Sequence, residues 1–500
     1  MMNSSPFSSS TTDHRILDPC VMIIFGATGD LTQRKLLPAL YSAKKKGELP
    51  SRFVCCGAAR REWSRDDFID SAHEALSPSD LPSWEAFAHD LDYCPCAFTE
   101  REGYLALKSH LEQIDKQRGI GGNRLFYLAT QPRYFSTIVE NLKQVELLGD
   151  EKATGSWSRV IVEKPFGRDI GSATQLQSEL TLSLRESQLY RIDHYLGKET
   201  AQNILAFRFA NSLFENMWNH RYVRQVELTV AESIGIEGRG AFYEEQGFIR
   251  DVLQNHVIQL LTLMAMEPPM NLTAGAIQDE KVKVVKAIRP FSEEMIRKNM
   301  VRGQYQAGYI EGQEVMGYSS EEGVNPSSSV ETYAAMKMFI DNWRWEGVPF
   351  YLRGGKRLPK RTTEIAITFH APPPVLFGVN KPLSPNVLIM RIQPNEGIAF
   401  NIACKQPGPG HSLQPVKMDF QYDAFFGLPS PDAYERLLCD AMAGDKTLFA
   451  REDEVLASWE LFTPLLQQSG ESAPLPYSAG SWGPEAADLL LETGHKWRRP

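Results

Sequence analysis

Two rhythms of apolar and polar residues run along this chain, and one replaces the other near residue 190. In the first part short apolar runs stand alone: Val21-Met22-Ile23-Ile24-Phe25, then Phe53-Val54-Cys55-Cys56, Leu125-Phe126-Tyr127-Leu128 and Val160-Ile161-Val162. Unbroken runs of this length suit strands buried on both faces of a parallel sheet. Helical patterns lie between them at 103–117 and 134–142. The alternation predicts a Rossmann-like, doubly wound α/β domain over residues 17–192.

Beyond it, six stretches alternate polar and apolar positions as half-buried strands do: 224–232, 332–339, 363–369, 387–392, 398–403 and 415–422. Links such as Pro372-Pro373-Pro374 and Pro407-Gly408-Pro409-Gly410 separate them. This predicts an α+β domain over 193–500 with a large, mostly antiparallel sheet. Ser430-Pro431-Asp432 reads as a helix start, with serine as N-cap and proline at the first helical position. The Ser/Thr-rich residues 1–16 contain neither the apolar run of a signal peptide nor the arginines of a transit peptide, so they read as a disordered tail on a cytoplasmic protein.

Composition narrows the function classes. The chain is 42% hydrophobic and 23% charged, ordinary values for a globular protein. No apolar run approaches the roughly 18 residues of a membrane span. A net charge of -9 argues against nucleic acid or an anionic membrane as partner. Seven cysteines, an odd number without paired metal spacing, read as reduced thiols, and no metal site is expected.

Four stretches carry candidate chemistry. Gly26-Ala27-Thr28-Gly29-Asp30-Leu31 follows a strand and opens a helix, where glycines permit a tight turn and free N–H groups can hold a pyrophosphate. The residues after the second strand, Arg60 and Arg61, offer guanidinium groups and no carboxylate, which favours a cofactor bearing a 2′-phosphate, NADP. Lys164 stands at the carboxyl end of another strand, where side chains project toward the ligand crevice. The densest stretch is Arg191-Ile192-Asp193-His194-Tyr195-Leu196-Gly197-Lys198-Glu199. With a helix from Tyr195 onward, His194 and Lys198 share one face and form a cationic spot suited to a phosphate. A helix over 243–266 places Asp251, Asn255, His256 and Gln259 within one polar arc at 100° per residue. An Asp193 reaching His256 would orient that imidazole as a general base.

Together these motifs resemble the glucose-6-phosphate dehydrogenase family. The likeness is carried by the glycine turn, by Glu163-Lys164-Pro165-Phe166-Gly167-Arg168-Asp169, by 191–199, and by Glu237-Gly238-Arg239-Gly240. It continues in Arg250-Asp251-Val252-Leu253-Gln254-Asn255-His256, Arg353-Gly354-Gly355-Lys356-Arg357-Leu358 and Pro431-Asp432-Ala433-Tyr434-Glu435-Arg436-Leu437, all in family order. The resemblance implies oxidation of β-D-glucose 6-phosphate at C1 by NADP+. It implies His256 as base and Asp193 as its orienting carboxylate. His194, Tyr195 and Lys198 then sit at the phosphate, and Lys164, Glu232, Asp251 and Lys356 at the sugar. A second basic sugar residue falls on Lys360 or Arg361, with Arg361 the one assigned. Ala129 and Thr130 join Gly26, Ala27, Thr28, Gly29, Asp30, Leu31, Arg60 and Lys164 around the cofactor. A homodimer or homotetramer is implied, and no second NADP site. Thr32 and Gln33 depart from the Ala and Lys that the family often carries after the turn.

Two other readings compete. Another NADP-dependent sugar oxidoreductase explains the glycine turn, Arg60 and Lys164 but not paired His194 and Lys198. A redox-sensing NADP-binding regulator needs no base.

Overall fold

The computed structural model describes residues 17–149, 151, 155–377, 383–427, 431–469, 472–492 and 495–500; the tail 1–16 and Ser430, with its expected N-cap, lie outside them. The chain forms two compact units and passes between them more than once. One comprises residues up to Lys164, Ser178–Ile192 and Tyr434–Leu448; the other comprises Pro165–Gln177, Asp193–Ala433 and Phe449–Pro500.

The first unit is built on six strands of one sheet: β1 (Cys20–Phe25), β2 (Phe53–Ala59), β3 (Leu91–Pro95), β4 (Arg124–Leu128), β5 (Ser158–Val162) and β6 (Leu189–Ile192). They lie in the order β6-β5-β4-β1-β2-β3 and every pair is parallel. The strand order reverses direction at β1, the switch point where doubly wound sheets bind ligands. β1 and β2 are buried at every residue, as their unbroken apolar runs predict. β2 runs three residues further than the apolar run, through Gly57-Ala58-Ala59, and close packing selects glycine at 57, where a Cβ would come within 2.9 Å of both Ala27 and Tyr93. β3, Leu-Asp-Tyr-Cys-Pro, has no apolar run to announce it.

The second unit holds a nine-stranded sheet. Its strands are β7 (Val223–Ala231), β8 (Met300–Gln306), β9 (Tyr333–Met338), β10 (Phe350–Gly355), β11 (Thr362–Phe369), β12 (Val387–Gln393), β13 (Gly397–Lys405), β14 (Leu413–Gln421) and β15 (Leu475–Ser478). The order is β14-β13-β12-β11-β7-β10-β9-β8-β15. Pairing is antiparallel except for β7 with β10 and β8 with β15. The six alternating stretches are all strands of this sheet. β8, β10 and β15 are additions, and β10 escaped notice because Arg353-Gly354-Gly355 reads as a turn. A Cβ on Gly354 would lie 2.4 Å from Val230 O and 2.6 Å from the Phe248 ring, so close packing selects glycine there.

Candidate active site

In the first unit the chain leaves β1 at Gly26, whose φ of 92° is left-handed and whose Cβ would stand 2.2 Å from Ala129 O. The turn therefore packs directly on the backbone that leaves β4, and Ala129 and Thr130 border it. Gly29 N–H donates to Gly26 O at 2.9 Å, closing the turn before the helical segments Thr32–Leu36 and Leu37–Lys46. Ala27 is buried, Thr28, Gly29 and Leu31 are half-buried, and Asp30 is exposed and paired with Arg34 at 2.7 Å. The unusual Thr32 is wholly buried, and its hydroxyl donates to Gly26 O at 3.2 Å. Gln33 Nε2 donates to Ala27 O at 3.5 Å. Both departures brace the turn from within. Arg60 follows β2 directly and is exposed, while Arg61 stacks over the Trp63 ring at 5.2 Å. Lys164 lies two residues beyond β5 and is half-buried.

In the second unit the stretch after Ile192 forms a turn, not the expected helix. Helix Glu199–Phe209 begins one residue after Lys198, which has an extended ψ of 132°. Leu196 N–H donates to Asp193 O at 3.0 Å and Lys198 N–H to Tyr195 O at 3.3 Å. The shared helical face does not exist, yet the turn still gathers the residues. The His194 and Tyr195 rings are 5.1 Å apart, and the Lys198 ammonium lies 5.6 Å from the Tyr195 ring.

Asp193 does two jobs. Its Oδ1 accepts the Tyr195 N–H at 2.9 Å, which fixes the turn, and meets His256 Nδ1 at 2.6 Å, with both side chains only 5% exposed. A carboxylate can only accept, so Nδ1 carries the proton and Nε2 is the basic atom. The Tyr195 ring stacks on the imidazole at 4.2 Å, and the His194 ring meets it edge-on at 4.5 Å. Asp193, His194 and His256 each bring one donor atom within 4.8 Å of the others, a grouping that this pairing already accounts for.

The helix expected over 243–266 is three pieces. Gly247 breaks it with φ 63° and ψ 177°, Ile249–Val257 is π-helical, and Ile258–Ala265 is α-helical. The remote Glu331 holds the break. Its carbonyl accepts Phe248 N–H at 3.0 Å and its carboxylate accepts Ile249 N–H at 3.1 Å. π-helical segments recur at functional sites. The wider turn also dissolves the predicted polar arc. Asn255 Nδ2 bonds back to Arg250 O at 2.7 Å, and Gln259 Oε1 accepts from Lys281 Nζ at 2.6 Å. Asn255 and Gln259 are thus engaged elsewhere, and Asp251 and His256 stay as candidates.

Glu232 and Lys356 emerge from neighbouring parallel strands: Ala231 pairs with Gly355, and Glu232 N–H donates to Gly355 O at 3.0 Å. Their side chains are ion-paired, with the Lys356 ammonium 5.8 Å from the Tyr243 ring. Burial, then the charges of Asp251 and Glu232, push the Tyr243 hydroxyl well above its ordinary pKa. Of the two basic candidates, Arg361 is connected to Tyr195 through one amide. Its guanidinium donates to Gln393 Oε1 at 3.3 Å, and Gln393 Nε2 donates to Tyr195 Oη and to Thr363 Oγ1, each at 3.1 Å. Gln393 and Thr363 were missed in the sequence. The available signal was a lone amide ending the apolar strand β12.

A buried imidazole–carboxylate pair beside cationic side chains, in a chain that also folds a dinucleotide-binding sheet, is the equipment of a nicotinamide-dependent dehydrogenase acting on a phosphorylated alcohol. A family model described as the glucose-6-phosphate dehydrogenase NAD binding domain matches residues 23–203, and one described as the glucose-6-phosphate dehydrogenase C-terminal domain matches 205–498. The chain belongs to the glucose-6-phosphate dehydrogenase family. It is 51% identical over 494 residues to a glucose-6-phosphate 1-dehydrogenase of Chlamydia muridarum, covering 96% of this chain and 97% of the relative. It is 40% identical over 481 residues to that of Bacillus subtilis, covering 95% and 98%. A solved glucose-6-phosphate dehydrogenase in complex with its substrate glucose-6-phosphate superposes with a TM-score of 0.89 at 36% identity, covering 97% of this chain and 99% of that one.

Proposed function

We propose that this chain oxidises β-D-glucose 6-phosphate at C1 to 6-phospho-D-glucono-1,5-lactone with NADP+ as oxidant. The observation that carries the reading is the 2.6 Å contact of Asp193 with His256, inside a turn that also presents His194 and Lys198. His256 Nε2 takes the proton of the C1 hydroxyl, and Asp193 stabilises the imidazolium that results. His194, Tyr195 and Lys198 hold the 6-phosphate with charge-assisted bonds remote from C1, binding energy that fixes the ring for reaction. Glu232, Asp251, Lys356 and Arg361 bond the sugar hydroxyls.

The left-handed turn at Gly26, packed so tightly on Ala129 O that a Cβ has no room, leads from a parallel strand into a helix, the geometry that suits the close approach of a dinucleotide. Gly26, Ala27, Thr28, Gly29, Asp30 and Leu31 hold its pyrophosphate, Arg60 its 2′-phosphate, and Ala129, Thr130 and Lys164 its nicotinamide end. When bound, NADP+ supplies the acceptor for the hydride that leaves C1. The test follows the absorbance of reduced cofactor with glucose 6-phosphate and either NADP+ or NAD+. Silence with both rejects the reading, and equal rates on free glucose transfer it to a general sugar oxidoreductase.

The partner is a second copy of the chain. Strand β14 is exposed along most of its length, and Phe425 and Phe426 beside it are 72% and 60% exposed. Such an edge with contiguous apolar rings requires cover. A Phe425→Ser/Phe426→Ser variant should sediment as a monomer; an unchanged oligomer places the interface elsewhere.

A further inference from the structure

The motif Pro431-Asp432-Ala433-Tyr434-Glu435-Arg436-Leu437 has no part in the chemistry above, although from Tyr434 onward it is helical and belongs to the dinucleotide-binding unit. Helix Ala433–Ala443 reaches that unit from far along the chain. Leu437, Leu438 and Ala441 are buried in it. Glu435 pairs with Lys46 at 2.5 Å. At the other end Arg159 Nη1 donates to Ala441 O at 2.8 Å and to Met442 O at 2.5 Å, satisfying carbonyls that a helix end leaves open. Anchored at both ends, the helix has little freedom to slide.

Its first turn meets one carboxylate. Tyr434 Oη donates to Glu163 Oε1 at 3.2 Å, and Tyr127 Oη donates to the same oxygen at 2.5 Å. Tyr127 lies on β4 opposite Ile161 of β5, and Glu163 is two residues beyond Ile161, so strand alternation puts it on the Tyr127 side. Tyr127 is wholly buried, and burial together with the Glu163 charge holds its phenol far above the ordinary value, so it stays a donor. Two phenols on one carboxylate oxygen fix Glu163 in place and orientation. The next residue is Lys164, and Pro165 after it restricts the backbone further.

We propose that Tyr434 and Tyr127 are positioning residues for the reaction: by clamping Glu163 they set where the neighbouring Lys164 delivers its ammonium at the nicotinamide end of the cofactor site. This rests on the reading of Lys164 given above.

The experiment uses the full-length enzyme with Tyr434→Phe, Lys164→Ala and the double variant, and Glu163→Gln as the isosteric change at the acceptor. Tyr127→Phe is secondary because its site is wholly buried. The readouts are kcat and KM for NADP+ and glucose 6-phosphate, and the inhibition constant of adenosine 2′,5′-bisphosphate, which engages only the adenosine side. Tyr434→Phe should lower kcat/KM for NADP+ about tenfold, the scale of one hydrogen bond to a charged group. The inhibition constant of the bisphosphate should stay within about twofold, and the Tyr434→Phe effect should vanish in the Lys164→Ala background, as coupled residues require. A proportional loss of bisphosphate binding, or an undiminished effect in the Lys164→Ala background, overturns the proposal by showing a general loosening of the unit. An impaired Lys164→Ala enzyme with unimpaired Tyr434→Phe and Glu163→Gln overturns the clamp alone. An unimpaired Lys164→Ala overturns the assignment of Lys164 and the clamp with it.

Discussion

Strands β1 and β7 are central in their sheets, almost equally buried, and made of opposite materials. β1 is Cys-Val-Met-Ile-Ile-Phe, covered by hydrocarbon on both faces. β7 is Val-Arg-Gln-Val-Glu-Leu-Thr-Val-Ala, and its polar face is covered too. Arg498 N–H donates to Glu227 at 3.0 Å and its Nε to Glu364 at 2.7 Å, Gln225 donates to Glu227 at 3.0 Å, and Arg353 Nε donates to Thr229 at 3.3 Å. The Arg353 guanidinium lies between the rings of Trp482 and Trp497, at 4.9 and 4.8 Å. Each strand runs into a candidate site residue just beyond its carboxyl end. β1 delivers a backbone turn at Gly26, whereas β7 delivers a charged side chain at Glu232. A backbone site needs only close packing behind it. A side-chain site needs its charges held by a polar interior, and the partners of the β7 polar face supply one in the second unit.

The sharpest break of this contrast is at the base. His256→Asn keeps a polar side chain of smaller size and removes the basic ring nitrogen, so kcat should fall by about 10²–10⁴, the span of general-base catalysis. Binding of NADP+ to the backbone turn in the first unit should be unchanged, read by quenching of protein fluorescence. A variant that loses cofactor binding together with turnover would show that the two sites are not made on separate principles.

The next effect concerns stability. Lys281 and Glu454 are 1% and 0% exposed, 3.0 Å apart, and Lys281 also donates to Gln259, three residues from His256. Lys281→Met strands a buried carboxylate and should cost about 3–5 kcal/mol in denaturant titration. Lys281→Met/Glu454→Leu should regain most of it. An equal loss in the double variant would mean that packing, not charge, is what the network supplies.

The same contrast governs what could be read from the sequence. β1, its glycine turn and the Asp193–His256 pair were legible because each rests on neighbours in the chain or on one strong chemical complementarity. The alternating pattern of β7 marked a strand correctly, but its half-exposed face was not exposed, because residues some 270 positions later cover it. The π-helix was illegible for the same reason: Glu331, far from Ile249, decides its register. The link from Arg361 to Tyr195 was illegible too, because it runs through Gln393, at the end of another strand.

The smallest predicted effect tests the polar interior by pH. Burial holds the Glu227 carboxyl above the ordinary range, opposed by the Arg498 N–H, Arg353 and Gln225 and reinforced by Glu364. A folded pKa raised above the unfolded value of about 4.3 means that the fold prefers the protonated form. Its contribution to stability is therefore complete below that unfolded value and is lost as pH rises through the raised folded one. Glu227→Gln replaces the carboxyl with a neutral group of the same shape whose carbonyl still accepts from Arg498. Urea midpoints of the two proteins should diverge as pH rises across this window, the variant gaining relative to the parent, and become parallel above it. Curves parallel throughout would mean that Arg353 and the Arg498 N–H fully compensate the buried charge, and β7 would then differ from β1 in composition but not in its response to pH.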